Sequence, residues 1–259
     1  MKRILITGEN SYIGNSFLKY ISKFPDDYIV DTISVRGKEW KNVNFSEFDS
    51  VIHLAGIVHK RNVSSSIYYS INTALSEELA KKSKYDGVKQ FIYFSSMSVF
   101  GIQNGEINKD TECNPQNNYG KSKLLAENIL LKLSSDDFKV AIVRPPMVYG
   151  EHAPGNYKKL KILSRYAVMF PNSNNKRSMI SSNLLSKHIK KLVDANFYGY
   201  YHPQDAEYIN TSFMIRNLRL KNNKETYLVK MFFLKKIKIN IINKIFGDLY
   251  YGHGFYDLL

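Results

Sequence analysis

Residues 2–14 read KRILITGENSYIG, and this stretch decides the fold. The aliphatic run Ile4–Ile6 lies within a short strand over Arg3–Thr7, which closes on Gly8. From Ile13 to Phe24 the spacing changes to that of a helix, with Ile13, Phe17, Leu18, Ile21 and Phe24 on one side, until Pro25-Asp26-Asp27 stops it. A strand that passes through a glycine turn into a helix is the unit from which parallel sheets are built. The alternation continues outward. Ile29–Val35, Ser50–Leu54, Gln90–Ser95 and Lys139–Val143 read as further strands, and Tyr68–Tyr85 and Tyr119–Leu133 as helices. The apolar face of the last helix is expected at Leu124, Leu125, Ile129 and Leu133. Five strands separated by helices predict an α/β fold with a doubly wound parallel sheet.

After Gly150 the alternation weakens into short helical stretches such as Leu184–Asn196, separated by segments rich in Asn, Gly and Pro. The expected division is a sheet domain over 1–150 and a smaller part over 151–259, with helices returning to the sheet. The tail from Lys230 to Phe246 alternates Lys with Phe, Leu and Ile. It reads as a domain-closing helix with a wet lysine face, or as a basic amphipathic helix in peripheral contact with a membrane. No internal repeat is visible.

Composition narrows the classes. The 259 residues are 44% hydrophobic and 23% charged, as in a folded globular protein. With 37 basic and 23 acidic residues the formal charge is +14. The basic residues are scattered rather than interleaved with aromatics in one patch, so no nucleic-acid partner is expected. The single cysteine, Cys113, excludes an intrachain disulfide, and the six His show no metal-binding spacing, so no metal is expected. The start MKRILITG does not read as a secretory leader and no stretch approaches roughly 18 apolar residues, so a cytoplasmic location is expected.

Three motifs carry chemistry. The first is Thr7-Gly8-Glu9-Asn10-Ser11-Tyr12-Ile13-Gly14, at the opening of the first helix. A helix N-terminus there offers free N–H groups and partial positive charge to a pyrophosphate, although a plain βα turn would look the same. The second is Tyr119-Gly120-Lys121-Ser122-Lys123, whose Tyr119 and Lys123 stand one helical turn apart on one side. A cation so placed stabilises a phenolate. The third is Ser95-Ser96-Met97-Ser98-Val99-Phe100-Gly101, at the C-terminal end of the fourth strand, where α/β sheets bind ligands.

With His53-Leu54-Ala55-Gly56 between these motifs and Arg144-Pro145-Pro146 after them, the order resembles the extended short-chain dehydrogenase/reductases. The branch is that of the NAD-dependent epimerases and dehydratases, which includes UDP-glucose 4-epimerase. The likeness covers about residues 1–212. It implies a Rossmann-like sheet with a small C-terminal substrate-binding part, a bound nicotinamide dinucleotide, a UDP-sugar substrate and a homodimer. It assigns catalysis to Ser96, Tyr119 and Lys123. It assigns the cofactor to Gly8, Ser11, Tyr12, Ile13, Gly14, Leu54, Ala55, Gly56, Tyr119, Lys123, Pro145 and Pro146. Ser96, Ser98, Met147, Asn156 and Arg177 fall to the substrate, Arg177 as the grip on its pyrophosphate, and Asn72 matches a structural helix asparagine. YFSSMSVFG, NNYGKSK, VRPPMVYG and RSMI look most like nucleotide-sugar enzymes of bacterial surface-polysaccharide synthesis.

Departures from the pattern sharpen the reading. Ser11 replaces the middle glycine of the loop, at an energetic cost if φ must be positive there. Met97 and Ser98 stand where dehydratases of the family carry an Asp-Glu pair, which disfavours elimination of water. Met147 stands where the epimerase has an asparagine, and the chain is short for a complete substrate lid. Asp31 falls inside the second strand and Arg36 at its end, so NADP(H) is favoured and NAD(H) is the alternative. The expected activity is reduction of the C4 ketone of a UDP-4-keto-6-deoxy-hexose or hexosamine. A UDP-sugar 4-epimerase using the same residues is the alternative, and a non-catalytic nucleotide-binding scaffold is the reading from another class.

Overall fold

A computed structural model of the chain describes residues 1–58, 63–230 and 240–255. The core is a parallel sheet of β1 (Lys2–Thr7), β2 (Tyr28–Ile33), β3 (Ser50–His53), β4 (Gln90–Phe94), β6 (Lys139–Val143) and β10 (Gly199–Tyr201), in the order β10-β6-β4-β3-β1-β2. All five strands expected from sequence lie in it. The sixth, β10, was not expected: three residues, Gly-Tyr-Tyr, are too short for a periodic signal, and pairing with Ala141–Val143 holds them.

Alternation along the strands splits the core into two layers. Leu5, Val51, Phe91, Tyr93, Val140 and Ile142 meet the helices α3 (Leu75–Tyr85) and α4 (Asn118–Leu133). Ile4, Ile6, Ile52, Ile92, Phe94, Ala141 and Val143 meet α1 (Tyr12–Ile21) and α6 (Ser182–Asp194). Both faces are covered, which is why these strands read as continuous apolar runs.

The expected helix over Tyr68–Tyr85 starts earlier. α2 (Ser65–Tyr69) runs through one wide π-turn at Ser70–Ala74 into α3. The apolar face expected for α4 is corrected. The buried stripe is Tyr119, Ser122, Lys123, Ala126, Glu127 and Leu130, whereas Leu125 is 43% exposed. Periodicity assumes that the covered face is the apolar one. Here α4 covers the C-terminal edge of the sheet, where polar side chains are buried in partnered networks.

The chain beyond Gly150 adds α5 (Gly155–Tyr166), α7 (Thr211–Leu220) and α8 (Asn240–Phe246), and completes three two-stranded parallel ladders. These are β7 (Met147–Tyr149) with β9 (Met179–Ser181), β8 (Met169–Pro171) with β11 (Tyr227–Val229), and β5 (Gly105–Ile107) with β12 (Leu249–Tyr251). α6 packs on α1 and so returns this part of the chain to the main sheet. Residues 231–239 of the basic tail lie outside the described residues.

Candidate functional site

The strand order places a reversal between β1 and β3. From β1 the chain proceeds to β2 on one side, and from β3 it proceeds to β4, β6 and β10 on the other. The crevice at the C-terminal ends of β1 and β3 is where open α/β sheets take ligands. Gly8 lies on one lip with φ +97°, and its N–H donates to Ile33 O at 3.2 Å. Leu54, Ala55 and Gly56 form the other lip. A Cβ on Gly8 would sit 2.7 Å from Ala55 N, so Gly8→Ala has to part the two lips as well as hold a strained φ. We expect it to cost roughly 1–3 kcal/mol of stability and to weaken dinucleotide binding, read by thermal unfolding and by titration.

Ser11 is not strained. Its φ is −65° and ψ 143°, and its Oγ accepts the Gly14 N–H at 3.1 Å as the N-cap of α1. The positive φ of the turn falls on Asn10, at 62°, so the expected cost of replacing the middle glycine is absent. Gly14 is required instead because a Cβ there would meet Ser11 Oγ at 2.6 Å and Leu54 Cδ1 at 3.3 Å. Tyr12 and Ile13 open α1, which has no acidic residue in its first turn. The Tyr12 hydroxyl is buried beside Gly150 and has no partner.

Across the crevice lie the residues of the other two motifs. Tyr119 is buried, with its phenol close to Ser96. Burial raises the phenol's pKa, and the Ser96 contact opposes that rise. Ser96 Oγ also donates to Ser98 Oγ and accepts the Ser98 N–H, both at 3.1 Å. Lys123 Nζ donates to Phe94 O at 2.8 Å and lies 4.5 Å from the centroid of the Tyr93 ring. Its burial lowers the ammonium pKa to about 7, against the pull of Glu127. A Cβ on Gly56 would approach Lys123 Nζ to 3.3 Å and Asn72 Oδ1 to 3.0 Å. Glycine there lets the β3 lip lie directly on the lysine.

Two networks hold this arrangement. Asn72, in the wide π-turn, accepts the Ile57 N–H at 2.9 Å and donates to Ile57 O and Ser122 Oγ, both at 3.1 Å. It therefore ties the β3 lip to α4, as a structural asparagine should. The second network was missed by sequence reasoning. Glu127 is fully buried and receives Arg144 through Nε at 3.1 Å and Nη2 at 2.6 Å, while Ser95 Oγ donates to the same carboxylate. The available signal was spacing: Glu127 follows Lys123 by four residues and Tyr119 by eight, on one stripe.

His53 lies beneath the site, with Nδ1 2.6 Å from Thr7 Oγ1 and Nε2 2.8 Å from Ser76 Oγ. Burial lowers its pKa to about 3; burial likewise lowers those of His188, to about 4, and His202, to about 3. The unfolded chain therefore binds more protons than the folded one once pH drops below ~6.5. Lys123 acts in the same sense between its unfolded value of ~10.4 and about 7. Stability should rise with pH across this range. We expect a lower urea midpoint at pH 5 than at pH 8, and a midpoint that does not fall on acidification would contradict the buried neutral histidines.

The remaining expected site residues are spread more widely. Pro145 and Pro146 are buried beside the Ser96 turn, and Pro145 O accepts the Met97 N–H at 3.0 Å. Met147 begins β7 and packs against the cluster of Ala153, Tyr157, Met179 and Leu218. Asn156 is exposed in the first turn of α5. Arg177 bridges Ile209 and Leu249 through its backbone, and its Nη1 donates to Gly247 O at 2.9 Å. Arg36 follows β2 at the crevice, whereas Asp31 is paired opposite Leu5 within the strand and lies 3.4 Å from Arg3. Among the described residues no cluster of His, Cys, Asp or Glu could hold a metal ion, and no helix is long and apolar enough to cross a membrane.

The family described as "NAD dependent epimerase/dehydratase family" matches residues 4–179. The chain is 28% identical to a UDP-glucose 4-epimerase of Vibrio cholerae, over 96% of this chain and 86% of that protein. It is 26% identical to the N-acetyl-alpha-D-glucosaminyl-diphospho-ditrans,octacis-undecaprenol 4-epimerase of Escherichia coli O157:H7, over 86% of this chain and 73% of that one. Among solved structures, a UDP-glucuronic acid 4-epimerase from Bacillus cereus in complex with NAD superposes with a TM-score of 0.74 at 17% identity, covering 97% and 90% of the two chains. A dTDP-4-dehydrorhamnose reductase from Bacillus anthracis in complex with NADP gives 0.70 at 21%, covering 89% and 84%. At these identities the structures show the shared fold.

Proposed function

The chain belongs to the NAD-dependent epimerase/dehydratase family, and from that premise we propose that it is a nucleotide-sugar oxidoreductase acting at C4 of a UDP-sugar. The residues present fit a nicotinamide dinucleotide. The glycine turn, with no room for a Cβ at Gly8 or Gly14, and the acid-free start of α1 suit its pyrophosphate. When bound, such a group supplies the hydride acceptor or donor.

The observation that carries the proposal is the buried Tyr119 phenol close to Ser96, with Lys123 buried one helical turn along. In this reading Ser96 hydrogen-bonds the C4 oxygen and Tyr119 gives a proton to it, or takes one from it. In its protonated form Lys123 places a positive charge on the phenol's side of α4, which favours the phenolate. Gly56 lets the β3 lip lie close to Lys123. The Glu127–Arg144 pair secures α4 against β6 while these protons move. Arg177 would face the substrate's diphosphate, with Ser98, Met147 and Asn156 as further contacts.

Reduction of a UDP-4-keto-6-deoxy-hexose or hexosamine is the leading reading, because no carboxylate stands with Arg36 at the end of β2. Asp31 is held two residues before the strand end, and Arg36 suits a 2′-phosphate. We expect Arg36→Ala to raise the KM for NADPH by roughly 10–100-fold with little change for NADH, the loss of one charge-assisted contact. Incubation with NADPH and a UDP-4-keto-6-deoxy-sugar should consume the cofactor. Interconversion of UDP-sugar epimers without net consumption would establish the second reading, a 4-epimerase, which the names of the curated relatives favour. A homodimer in the cytoplasm belongs to the same proposal. Leu125 on α4 and Ile67 on the adjoining α2 leave apolar side chains on the outer helical face, and sedimentation would read the dimer directly.

A further inference from the structure

We propose that the tip of the small lobe, where α5 runs into β8 and α7 leads to β11, docks on an anionic lipid bilayer. The proposal concerns a surface remote in sequence from the crevice motifs and does not depend on the C4 reading. Large apolar side chains are exposed together there: Tyr166 at 79%, Met169 at 64% and Tyr227 at 62%, with Val168 and Leu220 beside them. Their proximity follows from the hydrogen bonds. Met169 and Tyr227 are direct partners across the two-stranded ladder, so their side chains share a face. Arg219 Nη1 donates to Arg165 O at 2.8 Å and Nε to Glu225 O at 2.8 Å, and Thr226 Oγ1 donates to Ala167 O at 2.9 Å. These bonds draw the ends of α5 and α7 to the start of the ladder, and Arg219 is consumed in doing so.

Charge selects the occupant. α5, β8, α7, β11 and the link between the last two carry eight Lys or Arg and one acidic residue, Glu225. This excess of seven is half of the chain's +14. Arg165, Lys221 and Lys224 stand exposed around the apolar tip. Apolar side chains ringed by cations match a bilayer with anionic headgroups, because the lipid takes the apolar surface while the cations meet the phosphates. Tyrosines suit that boundary, with an apolar ring and a polar end. A second copy of this chain would present cations to cations, and a nucleic acid would leave the apolar residues in water.

The test uses the full chain in co-sedimentation with vesicles of phosphatidylcholine alone and of phosphatidylcholine with phosphatidylglycerol. The wild-type protein should pellet with the second and much less with the first, and added salt should release part of it. The triple variant Tyr166→Ser, Met169→Ser, Tyr227→Ser should reduce partitioning by roughly tenfold or more, with an unchanged thermal midpoint and unchanged cofactor binding. Lys221→Gln with Lys224→Gln should weaken binding to the anionic vesicles only. The proposal is overturned if the wild type does not partition, or if the triple variant partitions equally. It is also overturned if the tip residues instead drive self-association, or salt-sensitive binding to a DNA duplex without vesicle binding. Unchanged turnover of a soluble UDP-sugar by the triple variant would separate this result from the fate of the C4 reading.

Discussion

Tyr119→Phe should abolish most turnover, by roughly 10²–10⁴ in kcat, while the fold and the dinucleotide affinity persist. The phenol is buried close to Ser96, so the substitution removes one hydroxyl and leaves the ring that packs. The Ser96 hydroxyl keeps a partner in Ser98 Oγ at 3.1 Å, which limits the structural cost. Three readouts separate the roles. Loss of kcat with a small change in KM marks a group used mainly in the transition state. An unchanged thermal midpoint excludes a packing defect. Retained binding of the dinucleotide shows that the crevice is intact. If the variant turns over at the wild-type rate, the assignment of the proton to Tyr119 is wrong, and the scaffold reading gains ground. Lys123→Met should show a different pattern, with both dinucleotide affinity and kcat reduced, because that side chain faces the β3 lip as well as the phenol's stripe.

Glu127→Ala should produce the largest loss of stability of any single change at the site, roughly 3–5 kcal/mol. The carboxylate is fully buried and takes both arms of the Arg144 fork together with the Ser95 hydroxyl. Its removal leaves a buried guanidinium with the Tyr200 ring centroid at 4.1 Å, that of Phe100 at 5.0 Å and the Cys113 thiol nearby. Rings attract a cation weakly compared with a carboxylate, at about 0.5–2 kcal/mol. The thermal midpoint should fall by roughly 10 °C or more. Glu127→Gln keeps the shape and part of the hydrogen bonding and should lose less. The double variant Glu127→Leu with Arg144→Met should recover much of the loss, since an apolar pair has no charge to desolvate. If the single variant unfolds at the wild-type temperature, the pair is not what fastens α4 to the sheet.

The crevice was legible for a local reason. Gly8, Gly14, Tyr119, Lys123 and Ser96 sit at strand ends and helix starts that adjacent residues define, so their spacing carries their placement. Arg36 and Asp31 were separable in the same way, by their position along one strand. The cap role of Ser11 was not, because its φ depends on Asn10 taking the positive value in its place. The polar underside of α4 was also hidden. Its apolar residues pointed to the wrong stripe, and only the sheet edge beneath it shows why Lys123 and Glu127 are covered. Glu127 and Arg144 are seventeen residues apart and belong to different elements. No periodicity links them.

By itself the amino-acid sequence determined the alternation of strand and helix, the parallel sheet that follows from it, and the hydroxyl, phenol and ammonium at its edge. Tertiary structure decided that β10 joins the sheet, that Arg177 leans on the carbonyl of Gly247, and that the ends of α5 and α7 gather apolar side chains into one exposed tip. Backbone periodicity is set by neighbours a few residues away and survives in any context. Pairing between distant segments is set by which surfaces remain uncovered once those elements have packed, and that is known only when all of them are in place.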